Sequence, residues 1–394
     1  MFAKGLRMGN SLSFSRLEEW IMAFLIFILS TPMFTWDIIF IYYAAAVLFF
    51  FLSIKYFSAN IKSYYGLLSI LSLFCLYFLI YKYTPNAQLY VFIFTFFVMI
   101  PFFMMNPVLW SKVYKKYLLI FSITIIPSII EYVLVSFFGL SLSSKIIHSS
   151  PLNPWEYPYR QYMFFVYMDS PWLNLVPRFY GFYDEPGVVG NIAMVFLFTE
   201  RFNMRKWYNY PILIAGLLSF SLLFYASILF YILLFVKSKY KVIVFLLIGF
   251  TVYLSFDNPI LYNLIYRRFE FSEGNLQGDT RNIEELTRWF NSLDTWDFLC
   301  GVDPGNRIRQ YASIKYTIGV CGLISLFLFF FILFYRVSVK LGFTKDFLLY
   351  IMIISLIFYQ RPFLNHPHYV FLMIVPFYVL LKQRIDTNIT NLKI

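Results

Sequence analysis

Tyr117-Leu-Leu-Ile-Phe-Ser-Ile-Thr-Ile-Ile-Pro-Ser-Ile-Ile-Glu-Tyr-Val-Leu-Val-Ser-Phe-Phe138 contains a single charged residue, Glu131. Coiled as an α-helix, this stretch would be about 33 Å long, enough to cross a hydrocarbon core of roughly 30 Å. The whole chain has the same bias: 60% of its 394 residues are hydrophobic and only 13% are charged, more apolar surface than a soluble domain of that length can bury. The surplus is read as lipid-facing, which makes the chain an integral membrane protein.

Outward from that stretch, further apolar runs recur. Spans at 20–36, 38–54, 64–81, 89–105, 117–138, 187–199, 209–221, 222–236, 241–256, 313–335, 346–359 and 367–381 predict an all-α polytopic membrane protein. It would have about 12 transmembrane helices in a single integral membrane domain, 1–394. Met1–Glu19 is polar, and Trp20–Trp36 follows it without a small-residue cleavage site, which predicts a retained first helix. The stretch 209–236 reads as one long tilted helix or as two short spans turning near Ser219-Phe220-Ser221. Charge decides for two. Met1–Glu19, Lys55–Lys62, Asn106–Lys116, Glu200–Lys206, Lys237–Lys241, Arg336–Lys345 and Lys382–Ile394 then share one face. Together they hold most of the 32 lysines and arginines but few of the 20 acids. By the positive-inside rule that face, with both termini, is cytoplasmic. The formal charge of +12 is thereby explained by anionic headgroups rather than by nucleic acid. Cys75 and Cys321 fall in apolar spans and Cys300 stands by itself in a loop, so neither a disulfide nor a thiolate metal site is expected.

On the opposite face two connections are long, 139–186 and 257–312, and long loops in compact proteins usually carry function. Asp279–Leu293 in the second has Ile283, Leu286, Phe290 and Leu293 at helical spacing and predicts an amphipathic helix on the membrane or over a cavity. Arg160 and Arg178 lie in the first loop, and Arg267, Arg268, Arg281, Arg288, Arg307 and Arg309 in the second, against the positive-inside trend. One explanation is pairing with acids of the same loops, among them Asp184, Glu185, Glu270, Glu273, Asp279, Glu284 and Glu285. The other is convergence on an anionic substrate, because the guanidinium fork grips phosphate in two places and keeps its charge. Glu131, alone in its span, is a functional candidate by default, with structural pairing the simpler account.

The densest local pattern is Pro177-Arg178-Phe-Tyr-Gly181-Phe-Tyr-Asp184-Glu185-Pro186-Gly187, which runs straight into a span. The backbone before Pro186 is held extended, so the turn aims the acid pair at the membrane boundary. Asp184 and Glu185 could equally be a helix N-cap complementing the dipole. This stretch resembles the Arg-x-x-Gly-x-x-x-Glu-Pro segment of the Wzy-like family, the bacterial O-antigen and capsule repeat-unit polymerases related to the O-antigen ligases. Thr280-Arg281 followed by Trp296-Asp-Phe-Leu-Cys-Gly301-Val302-Asp303-Pro304-Gly305 is similar to the family's arginine and Leu-x-Gly-x-Gly turn, with Asp303 shifting the second glycine. Gln360-Arg361-Pro362-Phe-Leu-Asn365-His366-Pro-His368 resembles the loop before the last helix of capsule polymerases.

The resemblance implies a glycosyltransferase at the outer face of the bacterial inner membrane. Its substrate would be an undecaprenyl-pyrophosphate-linked oligosaccharide, with membrane lipid around it and a chain-length regulator and a flippase as partner proteins. It would join repeat units into O-antigen or capsular polysaccharide. Such an enzyme needs fixed cations where the pyrophosphate leaves, and Arg178 and Arg281 are expected there, with Arg288, Arg361 and Arg160 binding substrate. It also needs a base, expected at Glu185 or at His366 or His368, with Asp184 beside it. Trp155, Tyr157, Tyr159, Trp172 and Trp289 could stack on sugar rings. No metal-ligand spacing occurs in these loops, so no metal and no cofactor is expected. A ligase shares the topology and the arginines. A transporter or flippase of lipid-linked sugars would show internal repeats and polar residues spread through its helices, and a scaffold would not need the arginines.

Overall fold

The computed structural model describes, apart from single positions inside them, residues 15–57, 98–147, 158–168, 178–242, 288–300, 342–360 and 367–391, with a few short pieces between 246 and 339. These residues are mostly helical. The expected spans 64–81 and 313–335 fall largely or wholly outside them, as do parts of 89–105 and 241–256, most of the 257–312 loop, and Cys75 and Cys321.

Helix α1, Arg16–Leu29, opens with a capping box: the Ser15 hydroxyl accepts the Glu18 N–H, and the Glu18 carboxylate accepts the Ser15 N–H at 2.8 Å. It stops short of the expected Trp36. The Ser30 hydroxyl donates to the Phe27 carbonyl at 2.6 Å, Thr31 turns to φ +54°, and Pro32 has no N–H to continue the ladder. A short 3-10 turn, Met33–Thr35, leads into α2, Ile39–Ile54.

Helix α3, Pro107–Ser136, begins ten residues before the expected Tyr117, with Pro at its first position where an N–H would be unused. The segment read as a loop, Asn106–Lys116, is therefore mostly its first turns. Over Val108–Ser136 it is the one helix among the described residues long and apolar enough to cross a membrane. The loop that follows carries structure: β1, Lys145–Ile147, pairs antiparallel with β2, Tyr159–Gln161, and β2 with β3, Val166–Met168.

Helix α4, Pro186–Thr199, matches the sequence expectation, with Glu185 at the N-cap and Pro186 at N1, and all of its residues are buried. Two helices follow, α5, Asn209–Leu218, and α6, Leu222–Phe235, separated at Ser219-Phe220-Ser221, where Phe220 adopts φ +47°. At 10 and 14 residues they are roughly 15 and 21 Å long, each short of a bilayer core. A two-residue hairpin, β4 Phe271–Ser272 with β5 Asn275–Leu276, a short α7, Thr295–Cys300, then α8, Thr344–Gln360, and α9, Pro367–Asn391, complete the described elements.

Helix α4 packs against α5, α6 and α9, while α3 packs against α1, α5 and α9, with α2 on α1 and α8 on α6. Aromatic rings join α3 to α4. Tyr114, Tyr117 and Phe121 surround Phe196 edge-on at 5.4–5.6 Å, the geometry that the ring quadrupoles favour. Gly190 lets α4 meet the α5–α6 turn, since a Cβ there would lie 2.5 Å from the Ser221 Cβ.

Basic segments far apart in sequence meet at one end of this bundle. Glu18 bonds Lys55, Lys112 reaches Glu19 at 3.6 Å, and Lys382 donates to the Ser111 hydroxyl at 3.0 Å. Arg201 pairs with Asp346 at 3.0 Å, and the Tyr231 hydroxyl donates to the Arg201 carbonyl at 3.1 Å. Lys55, then Tyr56, hold the Glu18 carboxyl down at about 2.

Candidate functional site

The opposite end of α4 is crossed by the segment 178–185. Arg178 begins it, and its Nε donates to the Ser219 carbonyl at 3.1 Å and its Nη2 to the Phe220 carbonyl at 3.2 Å. The first is the C-cap of α5 and the second lies in the turn just after it, at the negative end of the helix dipole, where carbonyls lack intrahelical donors. A guanidinium placed there is a helix cap by geometry, and two of its five donors are so used. The Phe179 N–H adds a bond to the Leu218 carbonyl at 3.0 Å. Gly181 follows at φ +57°, and a Cβ there would meet Ile125 at 3.0 Å, so the turn needs glycine on both counts. Its carbonyl accepts the Val166 N–H at 2.8 Å, tying in the small sheet, and the Phe182 carbonyl accepts the Met33 N–H at 2.7 Å.

Beyond that the segment enters a buried polar chain. The Tyr183 hydroxyl lies 3.0 Å from the Ser30 hydroxyl, and beside it the Tyr117 hydroxyl lies 2.6 Å from His368 Nε2. All four side chains are buried. His368, expected in a loop, is instead fixed inside the first turn of α9. Hydroxyl and imidazole groups so linked in a dry core polarise one another and hold a defined orientation.

No family model, no curated protein and no solved structure matches the chain.

Asp184 is buried and Glu185 half-buried directly after Tyr183. Glu185 is the N-cap of α4 by backbone, at φ −143° and ψ 140°, yet its side chain makes no cap hydrogen bond. The cap reading thus holds for its backbone and not for its carboxylate. Arg160 sits in β2, with its Cα opposite Ile146 and Tyr167, half-buried in the sheet that Val166 ties to Gly181. Arg288 is exposed on a short helical piece. Arg281, Arg361 and His366 lie outside the described residues.

Glu131 pairs structurally, and its partners are backbone groups. Its carboxylate accepts the backbone N–H groups of Met163 at 3.2 Å and Phe164 at 2.6 Å, and Ser128 one turn earlier bonds the Phe164 carbonyl. This pins the β2–β3 turn to α3. Sequence reasoning passed over Tyr117 and Ser30, since one tyrosine among 33 carries no signal until the fold brings it to His368. Among the described residues no three His, Cys, Asp or Glu side chains gather as metal ligands.

Proposed function

We propose that the chain is a polytopic protein of the bacterial inner membrane, with about 12 spans and cytoplasmic termini, that polymerises lipid-linked oligosaccharide repeat units at the outer face. The membrane part of the reading is supported by α3 and by large apolar side chains on helix surfaces, Phe40 at 74% and Ile130 at 56% exposure among them, which water would penalise and lipid would not. The clustering of basic segments at one end of the bundle fits a cytoplasmic face.

The observation that carries the enzymatic part is the meeting of two segments far apart in sequence. Asp184 and Glu185 directly follow Tyr183, which bonds Ser30, and Tyr117 beside it bonds His368, so that two of the base candidates are brought to one part of the bundle, at the end opposite the basic one. A carboxylate there takes the proton from an attacking sugar hydroxyl, and the glycan leaves its undecaprenyl pyrophosphate as the new glycosidic bond forms. Arg281, with Arg288 and Arg361, takes the charge of the departing pyrophosphate. Arg178 shapes the site from its place on α5. A chain-length regulator and a flippase are its expected partners, and no metal or cofactor is required.

The test is a gel profile of surface polysaccharide and lipid-linked intermediates from a host deleted for this gene, complemented with wild type, Glu185→Gln or Arg281→Ala at matched protein levels. Single repeat units in the deletion and both variants, with long polymer restored by wild type, is the expected result. Long polymer held on its carrier lipid would identify a ligase, and an unchanged profile would overturn the glycan reading.

One observation favours transport of lipid-linked sugars as the second reading. Helices α5 and α6 are short and broken, and Asn191 in α4 is fully buried with neither amide atom hydrogen-bonded. Accumulation of lipid-linked repeat units on the cytoplasmic side of deletion vesicles would favour it.

A further inference from the structure

The basic end of the bundle encloses a cavity of about 610 Å³ between α3, α9 and the connection from α4 to α5. Four cations line it, Lys115, Arg201, Lys206 and Lys382, against two carboxylates, Glu200 and Asp386. Two of the cations are committed: Lys206 to Glu200, whose side chain is almost wholly buried, and Arg201 to Asp346.

Lys115 and Lys382 differ. Lys115 makes no hydrogen bond or ion pair with the described residues, and the Lys382 ammonium donates to a neutral partner, the Ser111 hydroxyl. Burial lowers the Lys382 pKa, and repulsion from Lys115 and Lys112 opposes the pull of Asp386. Lysines that serve only to orient a membrane protein gain from spreading apart in solvent, where salt screens them. These converge in a concavity within the size range of small-molecule sites. An oxyanion with several acceptor oxygens would take the donors of both ammonium groups and relieve their repulsion.

We propose that this cavity is a binding site for a phosphate-bearing anion, held by Lys115 and Lys382 with Arg201 and Lys206 at its edge, and filled in the bilayer by an anionic phospholipid headgroup. Basic pockets between helices on the cytoplasmic side are suited to such headgroups. The site does not depend on the polymerase reaction, and polymer formation is scored separately from binding.

The experiment uses the full chain purified in a neutral detergent, with native mass spectrometry and thermal unfolding in the presence of phosphatidylglycerol, phosphatidylcholine or glycerol phosphate. Phosphatidylglycerol should stay bound and raise Tm, phosphatidylcholine should not, and the Lys115→Gln/Lys382→Gln variant should bind the anionic lipid roughly ten- to thirtyfold more weakly. Both side chains are solvent-accessible enough to be replaced without opening the core, and an unchanged Tm without ligand verifies this. The Lys115→Arg/Lys382→Arg variant keeps the charge and should keep binding. Equal Tm shifts with glycerol phosphate would keep the site and make its ligand a soluble phosphate ester. Equal phosphatidylglycerol binding by wild type and the Gln variant, loss of binding in a folded Arg variant, or no response to either phosphate compound would overturn the proposal.

Discussion

Arg178 illustrates how a single side chain changes meaning between sequence and structure. In the sequence it is a cation next to two carboxylates on the wrong face of the membrane, which suggested a hold on pyrophosphate. In the fold its guanidinium caps the end of α5 through the carbonyls of Ser219 and Phe220. Removing it leaves those acceptors without their charged donors, so Arg178→Ala should lower stability by roughly 2 kcal/mol or more, measured as a fall in the Tm of the detergent-solubilised protein. Arg178→Lys, lacking the fork, should recover only part of it. A wild-type Tm for Arg178→Ala together with loss of polymer would instead put the guanidinium in direct contact with substrate. Glu131 went the same way: the sequence isolates it as the one charge in an apolar run, but its acceptors' partners are backbone N–H groups that no residue type announces.

Among the elements, legibility followed length and punctuation. The start of α4 could be read because Pro186 after an acid pair is a strong local signal, and the break at Ser219-Phe220-Ser221 because charge on either side required an extra reversal. The three strands in the first long loop were missed, since three residues carry too little period to register. The early start of α3 was missed for a different reason: Lys112, Lys115 and Lys116 look like loop, although they lie on the helix's first turns at the basic end. The tight meeting of α4 with the α5–α6 turn was invisible as well, because Gly190 is one of 16 glycines until its neighbour is known. Gly190→Ala would push a methyl to 2.5 Å from the Ser221 Cβ, where α4 and the turn residues Ser219 and Ser221 are all buried. It should cost about 1–3 kcal/mol, seen as lower Tm and yield. Gly249→Ala, with open space around it, should be silent in the same assay.

The two ends of the whole molecule have opposite characters: one gathers lysines and arginines around a cavity, and the other carries the sheet, the acid pair and the buried His368 chain. If the bilayer lies between them, probes at the two ends answer from opposite sides. In a cysteine-free background, Ser143→Cys should react with a membrane-impermeant maleimide added to intact cells, and Asn203→Cys only after the membrane is opened. Labelling of both from outside would invert or abolish the assigned topology. Helix α4 sits between the ends with all of its residues buried, enclosed by α5 and α6, which follow it at once, and by α9, which follows far later. A segment buried on every side has no complete set of neighbours when it first leaves the ribosome. Until α9 is synthesised, the cover that the chain already made can give it is α3, through the rings around Phe196. The burial of α4 is therefore complete only once residues 367–391 have been made.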